Sequence, residues 1–307
     1  MKAGVIRRFG GPEVIEIEDL PVPQPKAGEV LVRVVAAGVG PWDALIREGQ
    51  GGVKSDFPIT LGSDIAGTVE TVGAGVTQFK KGDAVYGCMN PKFIGGYAEF
   101  SIASTGMIAP KPKTLDFIQA ASAPVVAVTP LQMIHEYAHV KAGQTVLIHG
   151  AAGNVGAYAV QLAKDAGLKV IASASGKDAE FVRELSADVV VEYKRQKFED
   201  VTRNVDAVLD MVGGKVLERS MNVLKPDGIA VTVVSPPTEE LKRKYGSRIV
   251  FFLVEVTTER LNRITAMFDA GKLKTDVGMV LPLSEARKAH EMLAGAPHAR
   301  GKIVLKL

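Results

Sequence analysis

The chain has 307 residues, of which 47 % are apolar and 23 % charged, and its net charge is +3. This composition excludes a disordered chain, suggests about two domains, and offers no basic footprint for nucleic acid or an anionic membrane surface. Its one cysteine, Cys88, excludes an internal disulfide and every cysteine-rich zinc cage, and it points to a reducing compartment. Residues 1–8 carry charges where a signal peptide needs an apolar stretch. Apolar runs such as 249–254 fall far short of the ~20 residues of a spanning helix. The expected location is the cytoplasm, with no membrane partner.

Up to about residue 124 the chain reads as short β runs at 29–35, 68–72 and 84–86, separated by turn clusters rich in Gly and Pro. That spacing predicts an irregular β-rich domain, as in a partly open barrel. Gly73-Ala74-Gly75 resembles a nucleotide-binding glycine pattern but lacks a third glycine and a following helix, so it reads as a β-turn. At 131–138 the apolar spacing predicts a helix, which carries His135-Glu136-Tyr137-Ala138-His139. Two histidines four apart can hold zinc on one helix face. The other histidines supply no third ligand at the right spacing, so this helix is expected only to pack, and no metal is expected.

From residue 140 the rhythm is strand, helix, strand, helix. Strands are expected at 145–149, 169–174, 188–191, 206–209, 229–233 and 249–253, with helices at 155–166, 177–185, 216–224 and 257–270. Six strands alternating with helices predict a doubly wound parallel sheet of the dinucleotide-binding kind, hence an α/β protein. A helix at 284–293 and a strand at 302–307 close the chain.

The strongest local signal is Gly150-Ala151-Ala152-Gly153-Asn154-Val155-Gly156, which follows a strand and opens a helix. Gly153 allows the backbone to approach a pyrophosphate, and Gly156 allows close helix–strand packing. A site for NAD carries Asp or Glu about 20 residues further on. Here the second strand ends in Ser173-Ala174-Ser175-Gly176-Lys177, with no carboxylate at the tip. Hydroxyls and a lysine suit a 2′-phosphate, so NADPH is the expected cofactor. The competing reading of Lys177 is a solvated surface lysine.

Together these segments resemble the zinc-independent medium-chain dehydrogenase/reductases of the quinone oxidoreductase group. The match covers Gly28-Glu29-Val30-Leu31-Val32-Arg33-Val34, Leu61-Gly62-Ser63-Asp64-Ile65-Ala66-Gly67, Lys81-Gly82-Asp83 and Gly95-Gly96-Tyr97-Ala98-Glu99. It also covers the fingerprint at 150–164 and the closing segment His298-Ala299-Arg300-Gly301-Lys302-Ile303-Val304-Leu305. The resemblance implies a GroES-like β-rich catalytic domain from 1–123 and 272–307. It implies an inserted Rossmann domain with a six-stranded parallel sheet over 124–271, and a cleft at their junction. Zinc-dependent relatives take ligands from a G-V-C and a G-H-E segment. Here those read Gly38-Val39-Gly40 and Gly62-Ser63-Asp64, so both ligands are missing.

The implied activity is NADPH hydride transfer to a quinone or to the activated C=C of an α,β-unsaturated carbonyl. The alternative is a cofactor-binding but non-catalytic member. No catalytic residue is identified. Trp42, Tyr86 and Thr129 are candidates for the substrate cleft, although Trp42 could equally be core and Tyr86 a structural strand residue. The cofactor candidates carried over are Thr129, Gly153, Asn154, Val155, Ser173, Ser175, Lys177, Tyr193, Val212, Ser235, Phe252, Leu253, Arg300 and Lys302. The family's A-G-V-N-P-x-D segment reads Ala37-Gly38-Val39-Gly40-Pro41-Trp42-Asp43, so Gly40 replaces an Asn of the cleft. The segments 49–57 and 236–246 are expected to shape the pocket. A homodimer through the sheet edge at 249–254 is expected.

Overall fold

A computed structural model describes residues 1–53 and 56–307; Lys54 and Ser55, in the expected pocket-shaping segment 49–57, lie outside the described residues. The chain divides into two compact units, Met1–Val125 with Val256–Leu307, and Val126–Glu255. The chain opens with strands β1 (Lys2–Ile6), β2 (Glu16–Asp19) and β3 (Glu29–Val39) and helix α1 (Pro41–Arg47). Then come β4 (Ile59–Thr60), β5 (Asp64–Val72), β6 (Ala84–Cys88), β7 (Phe100–Ser104), β8 (Ile108–Pro110), α2 (Phe117–Ala121) and α3 (Pro124–Gln132). The second unit alternates β9 (Thr145–His149), α4 (Asn154–Asp165), β10 (Lys169–Ala174), α5 (Ala179–Glu184), β11 (Val189–Glu192) and α6 (Phe198–Val201). It continues with β12 (Val205–Asp210), α7 (Gly214–Ser220), β13 (Leu224–Thr232), α8 (Glu239–Tyr245) and β14 (Ile249–Phe251). Back in the first unit lie α9 (Thr258–Asp269), β15 (Val277–Pro282), α10 (Ala286–Leu293) and β16 (Lys302–Lys306).

The second unit is a six-stranded parallel sheet in the order β11-β10-β9-β12-β13-β14. Val146, Leu147 and Ile148 of the central β9 are wholly buried, as a sheet covered on both faces requires. Strand β14 stops at Phe251, two residues short of the sequence expectation, and Leu253 beyond it is 76 % exposed. The 257–270 helix, expected in this unit, belongs to the first one instead. The Tyr86 hydroxyl donates to the Leu261 carbonyl at 2.9 Å and the Thr258 hydroxyl to that of Ile108 at 2.7 Å, which tie α9 to β6 and β8.

The expected 131–138 helix is not regular. Helix α3 ends at Gln132 and widens into a π turn over Met133–Tyr137. His139 lies beyond it at φ +50°, so His135 and His139 do not share one helical face. Both histidines are exposed.

In the first unit the larger sheet runs β15-β16-β3-β5-β6-β8, with β7 on β3. Register sets Val304 beside Gly38, Gly38 beside Asp64, and Asp64 beside Cys88. Gly38 has no side chain, and a Cβ there would lie 3.2 Å from the Lys302 Cε and 2.4 Å from the Ala121 carbonyl. The Lys302 stem therefore crosses a bare backbone, and its ammonium lies 3.7 Å from Asp64 Oδ2.

A second buried network runs beside it. Arg47 can only donate, so its contact at 2.8 Å makes His290 Nδ1 the acceptor and leaves the proton on Nε2. Burial and the Arg47 charge push His290 down to about 3, so it stays neutral. Tyr97 donates to Asp43 Oδ2 at 3.0 Å, and the Gly40 amide donates to the same oxygen at 2.8 Å. Asp43 Oδ1 is buried and has no hydrogen-bond partner among the described residues. Burial pushes the Asp43 carboxyl from 3.8 up to about 7, and that of Asp64 from 3.8 to about 6 against the pull of Lys302.

Two predictions follow from this packing. A raised carboxyl pKa contributes stability below the ordinary carboxylate range that is lost as pH rises through the folded value. Melting temperatures of wild type and Asp43→Asn should therefore converge, or cross in favour of the variant, between about pH 4 and 7; a constant gap would mean that Asp43 is ionised throughout. The second concerns Gly156, where a Cβ would lie 2.1 Å from the Gly150 carbonyl oxygen, a backbone atom that cannot step aside. Gly156→Ala should cost about 1–3 kcal/mol by denaturant unfolding.

Candidate functional site

The turn after β9 is built for a close approach. Gly150 sits at φ +73°, a left-handed conformation that favours glycine, and its carbonyl accepts from the Gly153 amide at 3.0 Å. Gly153 caps α4 without a side chain, so no side-chain oxygen competes for the first amides at Asn154 and Val155. A twelve-residue helix with an uncapped, glycine-opened start fits a pyrophosphate. The residues present therefore suit a dinucleotide.

Beside this turn lies a cavity of about 1080 Å³ at the carboxyl ends of β9, β10 and β11. It brings together five sequence candidates: Ser173, Ser175, Lys177, Tyr193 and Val212. Their states differ. The Ser220 hydroxyl donates to the Val216 carbonyl at 2.7 Å, so it accepts from His149 Nε2 at 2.9 Å. His149 Nδ1 is then the acceptor, and the Ser173 hydroxyl donates to it at 2.9 Å. Ser173 thus faces inward, while burial holds His149 down to about 4 and neutral. Ser175 donates to Asp178 Oδ2 at 2.5 Å. Lys177 is exposed and forms no ion pair among the described residues, and Tyr193 is also exposed. Val212 lines the wall where the buried Asp210 carboxylate accepts from the Val212 and Gly213 amides.

The sequence reading missed the rest of the wall. Glu192, Lys194, Arg195, Lys197, Phe198 and Arg219 also line this cavity. The signal was available as the charge run Lys194-Arg195-Gln196-Lys197 immediately after a strand. The remaining candidates of this unit lie apart from the cavity lining. Thr129 is buried in α3, and Ser235 is exposed after β13. Phe252 is buried and stacks on Tyr137 with ring centroids 4.2 Å apart, while Leu253 is exposed.

Four candidates belong to the first unit. Tyr86 is wholly buried, with its hydroxyl on Leu261 as described, which suits the structural reading. Arg300 is exposed and pairs with Asp276 at 3.0 Å. Trp42 and Lys302 come together: the Lys302 ammonium, 1 % exposed as a residue, stands 4.3 Å from the indole centroid. Trp42 Nε1 donates to the Ser63 hydroxyl at 2.8 Å. A Cβ at Gly40 would lie 2.4 Å from the indole ring. The indole therefore fills the space between Gly40 and Ser63, the two positions read as vacated zinc ligands. Among the described residues no group of three His, Cys, Asp or Glu could hold a metal ion. No helix among them is long and apolar enough to cross a membrane.

Comparison with known proteins agrees with this architecture. The family model "Alcohol dehydrogenase GroES-like domain" matches residues 26–113, and "Zinc-binding dehydrogenase" matches 185–305. The chain is 35 % identical to quinone oxidoreductase of Sus scrofa, across 100 % of this chain and 98 % of that protein. It is 33 % identical to the NADPH-dependent alkenal/one oxidoreductase, chloroplastic, of Arabidopsis thaliana, across 99 % and 79 %. The solved quinone oxidoreductase of Coxiella burnetii superposes with a TM-score of 0.91 at 36 % identity, across 100 % and 99 %. The chain belongs to the quinone oxidoreductase-like group of the medium-chain dehydrogenase/reductase family of oxidoreductases.

Proposed function

We propose that this protein is a zinc-independent, NADPH-dependent reductase of quinones or of the activated C=C of α,β-unsaturated carbonyls. The observation that carries the reading is the strand tip Ser175-Gly176-Lys177, free of an aspartate or glutamate of its own and walled by Lys194, Arg195 and Lys197. An excess of cations at that tip favours a ribose 2′-phosphate over a ribose hydroxyl. Lys177 and Tyr193 would meet the phosphate, the amides at Gly153, Asn154 and Val155 the pyrophosphate. Thr129, Val212, Ser235, Phe252 and Leu253 would flank the remainder, and Arg300 is a further cofactor contact of this reading.

When bound, the nicotinamide supplies hydride. The charge that develops on the acceptor's carbonyl oxygen then needs a donor or a nearby cation. Trp42, clamped by Ser63 and Lys302, offers a rigid partly exposed ring suited to a flat acceptor. The zinc-free part of the reading rests on Gly40 and Ser63, neither of which can ligate zinc as Cys or His does. A homodimer through β14 belongs to the same reading, because an open strand edge is a template for pairing.

NADPH oxidation with 1,2-naphthoquinone, other quinones and enones tests the activity, and turnover should survive dialysis against EDTA. Tight NADPH binding with no turnover on any acceptor would favour the non-catalytic alternative. Lys177→Ala should weaken NADPH binding about 10-fold or more while leaving NADH within about twofold, as loss of one charge-assisted bond predicts. An equal effect on both would sink the 2′-phosphate role.

A further inference from the structure

We propose that Glu192 is a specificity-determining residue that keeps the cofactor pocket open to NADH as well as NADPH. The proposal rests on the 2′-phosphate reading of the same pocket.

Glu192 closes β11 and pairs in register with Ala174, so it stands beside the tip of β10. Its carboxylate lies over that tip. Oε2 would be 3.0 Å from a Cβ on Gly176, so the carboxylate lies close over the bare glycine. The two nearest cations are Arg195, at 3.5 Å, and Arg183, at 3.9 Å. Both distances exceed a hydrogen bond, and both arginines are about half exposed or more, so neither pair is strong. Five cations line the cavity (Lys177, Lys194, Arg195, Lys197, Arg219) against two carboxylates, Asp178 and Glu192. Arg219 is held by Glu199 through two contacts of 2.6 Å, and Asp178 accepts from Ser175. Glu192 is therefore the acid that weighs against the cations at the tip.

Its effect has opposite signs for the two ligands. A 2′-phosphate at the tip meets a like charge and must compete for Arg195 and Arg183. A ribose with a free 2′-hydroxyl meets a carboxylate that can accept a hydrogen bond from it. The acid that a nicotinamide site without phosphate takes from its second strand thus arrives here from β11. Glu192 lowers the preference for phosphate and supplies a contact for its absence.

The experiment is titration calorimetry on the full chain with 2′,5′-ADP and 5′-AMP as probes, followed by NADPH and NADH. Glu192→Gln should bind 2′,5′-ADP and NADPH about 10-fold more tightly and NADH severalfold more weakly, with little change for 5′-AMP beyond that of NADH. Glu192→Ala should shift the ratio the same way, and thermal melts of both variants establish folding. An unchanged NADPH-to-NADH ratio in both variants, with Lys177→Ala still selective against NADPH, would overturn the role of Glu192 alone. Weaker binding of both cofactors would make Glu192 a support for Arg195 and would also overturn it. If Lys177→Ala is itself unselective, the 2′-phosphate reading falls first.

Discussion

Parallel pairing forces every strand of the second unit's sheet to end on the same edge. That single constraint assembles the pocket. β9 delivers His149 and the glycine turn, β10 delivers Ser175 and Lys177, β11 delivers Glu192 and Tyr193, and β12 delivers Val212. The four groups are far apart in sequence, and each reaches the site because its strand ends there. The helices between strands set only how closely the edge can be approached, and Gly156 shows how little room is left.

The first unit is governed by a different cost, the burial of an ammonium. Lys302 lies in the interior beside Asp43 and Asp64, and among the described residues its nitrogen and one oxygen of each carboxyl group lack a hydrogen-bond partner. A lone charge there would be prohibitive; near Asp64, with Asp43 also in its field, it is tolerated. Two bare glycines make the arrangement possible. Gly38 lets the lysine stem pass, and Gly40 lets the indole lie flat beneath the charge. The indole face adds a cation–π contact in a place where water is excluded.

The periodic part of this protein was legible in its sequence. Six strands, their alternation with helices and the Gly153–Gly156 turn could be read because each follows from local spacing. The first unit was far less legible. The extent of β3 to Val39 depends on a pairing between segments hundreds of residues apart, that of Ile303 with Val39, and β15 depends on its pairing with β16. Spacing alone shows the 257–270 helix but not the unit it joins, because its partners Tyr86 and Ile108 lie far upstream. In the pocket, Lys177 could be found from strand position and Arg195 from its charge run, while Glu192 required knowing that β11 is the neighbour of β10. Ser173 carries the opposite lesson: a residue at the right position whose hydroxyl turns inward to His149.

The contact between Gly40 and Trp42 makes the two positions interdependent. A side chain at position 40 and an indole in its present place exclude each other. Any residue larger than glycine at 40 requires the indole to leave its hydrogen bond to Ser63. Substitutions at 40 and 42 are therefore non-additive, and neither position can be understood from its own side chain alone.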